Sequence, residues 1–243
     1  MRLFESSIND VRVFTGNTLK KGFDALVYDT SHIPVWPGGK KGTIVMQADT
    51  AVELGNPREE SSAFLMWTED ASLVCNGKIT LIGPDLPESS GGSLPFGKVV
   101  ILGVKGVGEE NCHEMHREIE LMRYDMNLDG YMMRAVSQRG REWSRVSRDA
   151  VMRGFSLGVL GASLIRMYLT NPHVVSAELL FVTSSGEDVM KLGEIGNKAV
   201  RLIEAMNKMA SEYMFDCDSC DYSDVCSEVE GLRNMKKAAN KKP

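Results

Sequence analysis

A change of apolar period near the middle of the chain constrains its fold more than any other feature. The front half carries short β-branched or aromatic runs at 11–14 (VRVF), 25–29 (ALVYD), 42–47 (GTIVMQ), 50–54 (TAVEL), 63–67 (AFLMW), 78–83 (KITLIG) and 97–104 (GKVVILGV). Turn residues such as Pro37-Gly38-Gly39, Asn56-Pro57 and Asn76-Gly77 separate them, so each reads as a strand. Asn76-Gly77 also reads as the turn of a hairpin joining 72–75 to 78–82. The back half moves to helical spacing. Residues 109–125 alternate charged and apolar groups with that period, and Ser147 is placed to cap a short helix that Gly154 ends. A third helix, 157–169, stops at Asn171-Pro172. A strand at 174–182 follows, then a long helix over 185–214 with Val189, Leu192, Ile195, Val200, Ile203 and Met206 available for burial. This order predicts an α+β (mixed α/β) fold, with a strand-rich N-terminal half around a mixed sheet and helices mainly in the C-terminal half.

Composition narrows the function classes. The 243 residues are 43% hydrophobic and 25% charged, the balance of a soluble globular protein. A net charge of −5 and an aromatic content of only 7% argue against a nucleic-acid or membrane-surface binder. The most apolar helix, 157–169, contains Arg166 and is shorter than the ~20 residues that span a bilayer. The opening MRLFESSIND turns polar before an apolar run of leader length begins. Five cysteines, three of them within ten positions, suit a metal site in a reducing compartment better than a disulfide framework. A cytoplasmic location is therefore expected.

Those three, Cys217, Cys220 and Cys226, carry the sharpest chemical signal. Two thiolates separated by two residues can grip one metal ion or two irons of one cluster, and the third closes around it. Iron–sulfur and zinc chemistry both accept this spacing, and reduced surface thiols are the plain alternative. A fourth ligand remains open among Cys75, Cys112, a nearby aspartate, a partner's residue, substrate or water. Asp216, Asp218, Asp221 and Asp224 interleave the cysteines, and their charge would lower the reduction potential of a cluster.

A second signal is a run of eight arginines without a lysine between Arg117 and Arg153: Arg117, Arg123, Arg134, Arg139, Arg141, Arg145, Arg148 and Arg153. A preference for guanidinium suggests planar, two-point contacts to phosphate or carboxylate. On a helix Arg134, Arg141, Arg145 and Arg148 would share one face, although Gly140 interrupts it. Glu118, Glu120, Asp125, Asp129, Glu142 and Asp149 lie in the same window and offer ordinary ion-pair partners instead. Weaker signals are the glycines 103, 106 and 108, which could cradle a phosphate or simply form a strand-to-helix turn, and Cys112 with His116, four apart on a helix. His32 and His173 read as loop residues.

From Val52 onward the sequence resembles the acetyl-CoA synthase family, the β subunit of the carbon monoxide dehydrogenase/acetyl-CoA synthase complex. The matching residues are Val52-Glu53-Leu54-Gly55 with Ala63-Phe64, then Asn76-Gly77-Lys78-Ile79-Thr80-Leu81-Ile82-Gly83-Pro84-Asp85, then Leu94-Pro95-Phe96-Gly97. The most specific block is Gln138-Arg139 with Trp143, Arg145, Val146, Ser147, Asp149, Ala150, Gly154 and Phe155. The resemblance covers about 46–233 and belongs to the family's middle domain. It implies three segments: a strand-rich extension at 1–45, the middle-domain-like part at 46–214, and a cysteine segment with a basic tail at 215–243.

The resemblance also implies a [4Fe-4S] cluster, with Cys217, Cys220 and Cys226 at the first three of the family's four cysteines and Arg233 where the fourth stands. It implies a CoA or phosphate site around Arg134, Gln138, Arg139, Arg141, Trp143, Arg145 and Arg148, with Arg134 at about the position of a family tryptophan. The family's Cys-Gly-Cys nickel ligands do not occur in these 243 residues. The expected role is a truncated, stand-alone relative accessory to anaerobic CO, one-carbon or acetyl-CoA metabolism. It would have a protein partner there and no complete acetyl-CoA synthase activity alone. The alternatives are a non-catalytic zinc- or partner-binding module, and one piece of a split synthase.

Overall fold

The computed structural model describes residues 2–20, 25–40, 44–86, 92–108, 110–136, 140–211, 220–228 and 232, with the backbone alone at 134–136, 210–211 and 226–228. The fold is mixed α+β, as the sequence predicts. Nine strands are described: β1 (Ala25–Asp29), β2 (Thr50–Leu54), β3 (Ser61–Thr68), β4 (Lys78–Ile82), β5 (Gly92–Leu94), β6 (Phe96–Val104), β7 (Tyr131–Val136), β8 (Glu142–Ser147) and β9 (Val174–Val182). The described helices are α1 (Glu5–Lys20), α2 (Cys112–Met122), α3 (Arg148–Met152), α4 (Leu157–Tyr168), α5 (Gly186–Ser211) and α6 (Ser223–Glu228).

The strands form a five-stranded sheet in the order β1-β4-β9-β6-β3 and a four-stranded sheet in the order β5-β2-β8-β7. In the large sheet β4 and β9 run parallel, as do β6 and β3, while β9 and β6 are antiparallel. All nine residues of β6 are buried, as are all residues of β9 except Val175, so both read as near-continuous apolar runs. Each of these inner strands nevertheless carries one buried charge, Lys98 on β6 and Glu178 on β9. Lys98 lies opposite Phe181 and Glu178 opposite Ile101, so alternation of side chains directs the two charges to opposite faces.

The Glu178 face is covered by α1 and α5. Arg12 of α1 donates to Glu178 Oε1 at 2.6 Å, and Gly196 of α5 packs directly on Phe64, where a Cβ would come within 2.7 Å. The Lys98 face carries α4, whose Gly161 sits against Ile79, and the small sheet, which reaches Lys98 through Glu142. The cap foreseen at Ser147 is present, and Ser156 supplies a second. Ser147 Oγ accepts from Ala150 N at 3.1 Å at the start of α3, and Ser156 Oγ accepts from Val159 N at 3.2 Å at the start of α4.

Three local expectations are corrected. The segment 11–14 lies inside α1: Phe4, Ile8 and Val11 are fully buried at helical spacing, and a tertiary seat for that stripe outweighs the β-branched composition. In 42–47, residues 44–46 join no strand and Gln47–Asp49 is a 3₁₀ turn; residues 42–43 lie outside the described residues. The hairpin at Asn76-Gly77 does not form. The turn itself closes, Lys78 N donating to Cys75 O at 3.1 Å, but Ala71–Leu73 is a 3₁₀ turn and β4 pairs with β1 and β9 instead. The arginine-rich stretch runs through several elements, with Arg117 in α2, Arg134 in β7, Arg145 in β8 and Arg148 in α3, so no single helix carries it, in keeping with the break at Gly140.

Candidate functional site

The small sheet organises the arginine segment. Along β8, Glu142, Ser144 and Val146 are buried and turn toward the large sheet, which leaves half-buried Trp143 and Arg145, only 8% exposed, on the opposite face; Arg141 precedes the strand. β7 pairs with β8 from Tyr131 opposite Val146 to Val136 opposite Glu142, with a bulge between Met133 and Ala135 at Arg134. β2 lies on the other side of β8 and places Glu53 opposite Arg145.

Carboxylates take up several of the arginines. Arg145 Nε meets Glu53 Oε1 at 2.6 Å, and its guanidinium carbon lies 5.4 Å from the Trp143 ring centroid. Arg123 pairs with Glu120 at 3.2 Å, and Arg153 pairs with Asp129 at 2.6 Å and Asp149 at 2.9 Å. Glu120, Asp129 and Asp149 are partners the sequence suggested. Glu142 was expected to join them but pairs with Lys98. Arg141 and Arg148 are exposed and donate to backbone carbonyls, Arg141 to Glu59 O at 2.8 Å and Arg148 to Ala48 O at 3.0 Å. Gln138 and Arg139 lie outside the described residues, as does the side chain of Arg134.

The inward face of β8 holds a buried polar network that sequence reading did not anticipate. Lys98 Nζ pairs with Glu142 Oε2. Tyr131 Oη lies 2.9 Å from Ser144 Oγ and donates to Glu142 Oε1 at 3.4 Å. Ser61 Oγ donates to Glu142 O at 2.7 Å and accepts from Glu142 N at 2.9 Å. Burial, reinforced by the Glu142 charge, pushes the Tyr131 hydroxyl well above its ordinary range, so it stays protonated as a donor.

The cysteine segment is described only in part. Cys220 is half-buried, and its carbonyl accepts from Ser223 N at 3.1 Å where the chain turns into α6. Cys226 falls within α6, while Cys217 lies outside the described residues. Arg201 of α5 docks α6 through two 2.8 Å contacts to Asp224 and one of 3.0 Å to Asp221 O. No group of three potential metal ligands occurs among the described residues. Cys75 is exposed and Cys112 buried.

The weaker signals resolve as structure. In the glycine-bearing turn, Asn111 Oδ1 accepts from Gly108 N at 2.7 Å and its amide donates to Gly106 O at 2.9 Å, closing the loop on itself. His116 is buried beneath α1 and accepts from Trp67 Nε1 at 3.3 Å. His32 is exposed and His173 half-buried, with His173 Nδ1 3.2 Å from Lys105 O. No described helix is long and apolar enough to cross a membrane.

Comparison with known proteins covers the same ground. Residues 34–187 match a family model described as CO dehydrogenase/acetyl-CoA synthase complex beta subunit. The acetyl-CoA decarbonylase/synthase complex subunit beta of Methanopyrus kandleri is 30% identical over 131 residues, 53% of this chain and 27% of that protein. The carbon monoxide dehydrogenase/acetyl-CoA synthase subunit alpha of Moorella thermoacetica is 32% identical over 127 residues, 51% of this chain and 17% of that protein. The β subunit of Archaeoglobus fulgidus is 24% identical over 189 residues, 74% of this chain and 35% of that protein. The chain thus matches between 17% and 35% of the length of these curated relatives.

Proposed function

The chain belongs to the CO dehydrogenase/acetyl-CoA synthase complex beta subunit family, and from that premise we propose that it is an iron–sulfur protein accessory to CO, one-carbon or acetyl-CoA metabolism, with an anion site on the arginine face of β8. The observation that carries the reading is the strand β8, which sets Trp143 and Arg145 on one face within the block most like the family, with Arg141 just before it. Arg148 extends the positive edge one residue beyond β8. Arg145 is held by Glu53 and stacks on Trp143, which makes a preformed planar wall; Arg141 and Arg148 supply exposed charge. Such a face suits the phosphates of CoA or another phosphorylated ligand, with the indole as a stacking surface.

Cys217, Cys220 and Cys226 are the residues proposed to hold a cluster. Their donor chemistry fits iron, since thiolates are the usual cluster ligands, and a bound cluster would supply one-electron transfer. The acidic neighbours set the local field: Asp224 is engaged by Arg201, which pulls its carboxyl below the usual range through that hydrogen bond, so it keeps its charge beside the segment. Carbon–carbon bond formation is not assigned to these 243 residues, which contain no Cys-Gly-Cys.

Two measurements test the proposal. Anaerobic iron and sulfide analysis of the full chain should give a brown protein whose iron content falls in Cys220→Ala. A colourless protein with stoichiometric zinc, or equal iron in both, overturns the cluster. Titration of Trp143 fluorescence with CoA should saturate and should weaken about tenfold in Arg141→Ala/Arg148→Ala, the loss expected for ~1.4 kcal/mol of charge-assisted contact. An unchanged affinity overturns the anion site.

A further inference from the structure

The chain between Cys220 and Cys226 is seated on α5 by contacts that need no metal. Ala199, Leu202 and Met206 bury one side of α5 in the core, so its opposite side is a fixed surface. Arg201, Glu204 and Lys208, three and seven residues apart, share that opposite side. Arg201 meets Asp224 with both terminal nitrogens, Nη1 to Oδ2 and Nη2 to Oδ1 at 2.8 Å each, and Nη2 also donates to Asp221 O at 3.0 Å. Tyr222 donates to Glu204 and packs against the core, Ser223 N donates to Cys220 O at 3.1 Å, and Val225 is buried. Each of the five residues from Asp221 to Val225 is therefore engaged.

The Arg201 and Asp224 side chains are 43% and 56% exposed, and a single ion pair so placed contributes little. The planar fork makes it a clamp, because guanidinium can hold a carboxylate and a carbonyl at once and in fixed geometry. A short cysteine loop ordinarily has to be ordered by the metal it binds, and that cost is taken from the affinity. Here α5 meets the cost beforehand for the stretch joining two of the candidate ligands. We propose that Arg201 is a positioning residue for metal capture, holding the 220–226 segment in place before a metal arrives. The inference rests on the reading of Cys220 and Cys226 as ligands, and its experiment separates the two.

The test is an anaerobic titration of the metal-free full chain with Co²⁺, followed by the thiolate-to-metal absorbance, beside hydrogen exchange of the same sample before metal is added. The metal-free wild-type chain should already protect the amides of α6. Arg201→Ala should lose that protection, raise the Kd for Co²⁺ about tenfold and leave the urea midpoint of the whole chain unchanged. Arg201→Lys keeps the charge but not the fork, and should recover only part of the affinity. Unprotected α6 amides in the metal-free wild type overturn the proposal. So does a Kd for Co²⁺ that is the same in Arg201→Ala. Failure of the underlying reading looks different. No thiolate band in the wild-type chain, or an equal band in Cys220→Ala, overturns the ligand assignment and the proposal with it. A band that needs Cys220 but is indifferent to Arg201 overturns the proposal alone.

Discussion

Lys98 and Glu142 form a buried ion pair that joins the two sheets, their side chains only 5% and 0% exposed. The partners come from the inner strand β6 and from β8, 44 residues apart in sequence. Desolvation offsets much of the Coulomb gain in such a pair, so its main effect is to specify which surfaces meet. Glu142 also takes hydrogen bonds from Tyr131 and Ser61, which fixes the strand whose other face carries Trp143 and Arg145.

Removing one partner should therefore cost far more than removing both. Lys98→Met leaves a carboxylate buried and is expected to lose about 3–5 kcal/mol. Lys98→Met/Glu142→Gln keeps the hydrogen bonds to Tyr131 and should recover about 2 kcal/mol or more of that loss. Urea unfolding of the two single variants and the double gives the coupling. Additive losses would mean the pair does not interact.

Arg12 and Glu178 do the same work on the opposite face. Glu178 is buried and also accepts from Cys75 N at 2.9 Å, while hydrogen bonding to Glu178 raises the Arg12 pKa further. Arg12→Met should destabilise by about 3 kcal/mol and free α1 first. Hydrogen exchange should show faster amides in α1 with β6 and β9 still protected.

His116 predicts the acid side of the stability curve. Burial, with the charges of His113 and Arg123, lowers its pKa from 6.5 to about 4. The unfolded chain then takes up a proton that the folded chain refuses. Stability from this group is whole above about pH 6.5 and drains as pH falls toward 4, a loss of about 3 kcal/mol. In His116→Phe that slope should vanish, at the expense of the hydrogen bond from Trp67. Denaturant midpoints measured from pH 7.5 to 4 decide it.

Two glycines separate backbone strain from steric conflict. Gly83 has φ +108° and a Cβ there would lie 2.4 Å from Ser184 N; Gly154 has φ +94° with nothing within 4 Å. Gly154→Ala should lose about 1 kcal/mol and Gly83→Ala about 3 kcal/mol or more. Thermal melts of the two variants read the difference directly.

Much of the candidate site was legible and its arrangement was not. Trp143 and the arginines stood out by residue type, and Glu120, Asp129 and Asp149 lay close enough in sequence to be foreseen as partners. Glu53 did not, because it reaches Arg145 only through the β2–β8 pairing. Gly140 marked a break in the arginine stretch, but the sequence left the period on either side undecided. Short strands alternating Glu-Trp-Ser-Arg carry too little apolar contrast to show which face is inward.

Local chemistry along the chain decided what neighbouring residues can enforce: the buried runs of β6 and β9, the serine caps of α3 and α4, the helices that stop at Gly154 and at Asn171-Pro172, and a family likeness carried by contiguous residues. Tertiary structure alone decided that 11–14 is helix, that Asn76-Gly77 turns without a hairpin, and that Lys98 and Glu178 look to opposite faces. The physical reason is one of range. A cap or a turn is settled within a few residues, whereas the burial of a charge or an apolar stripe is settled by whichever distant element arrives to cover it.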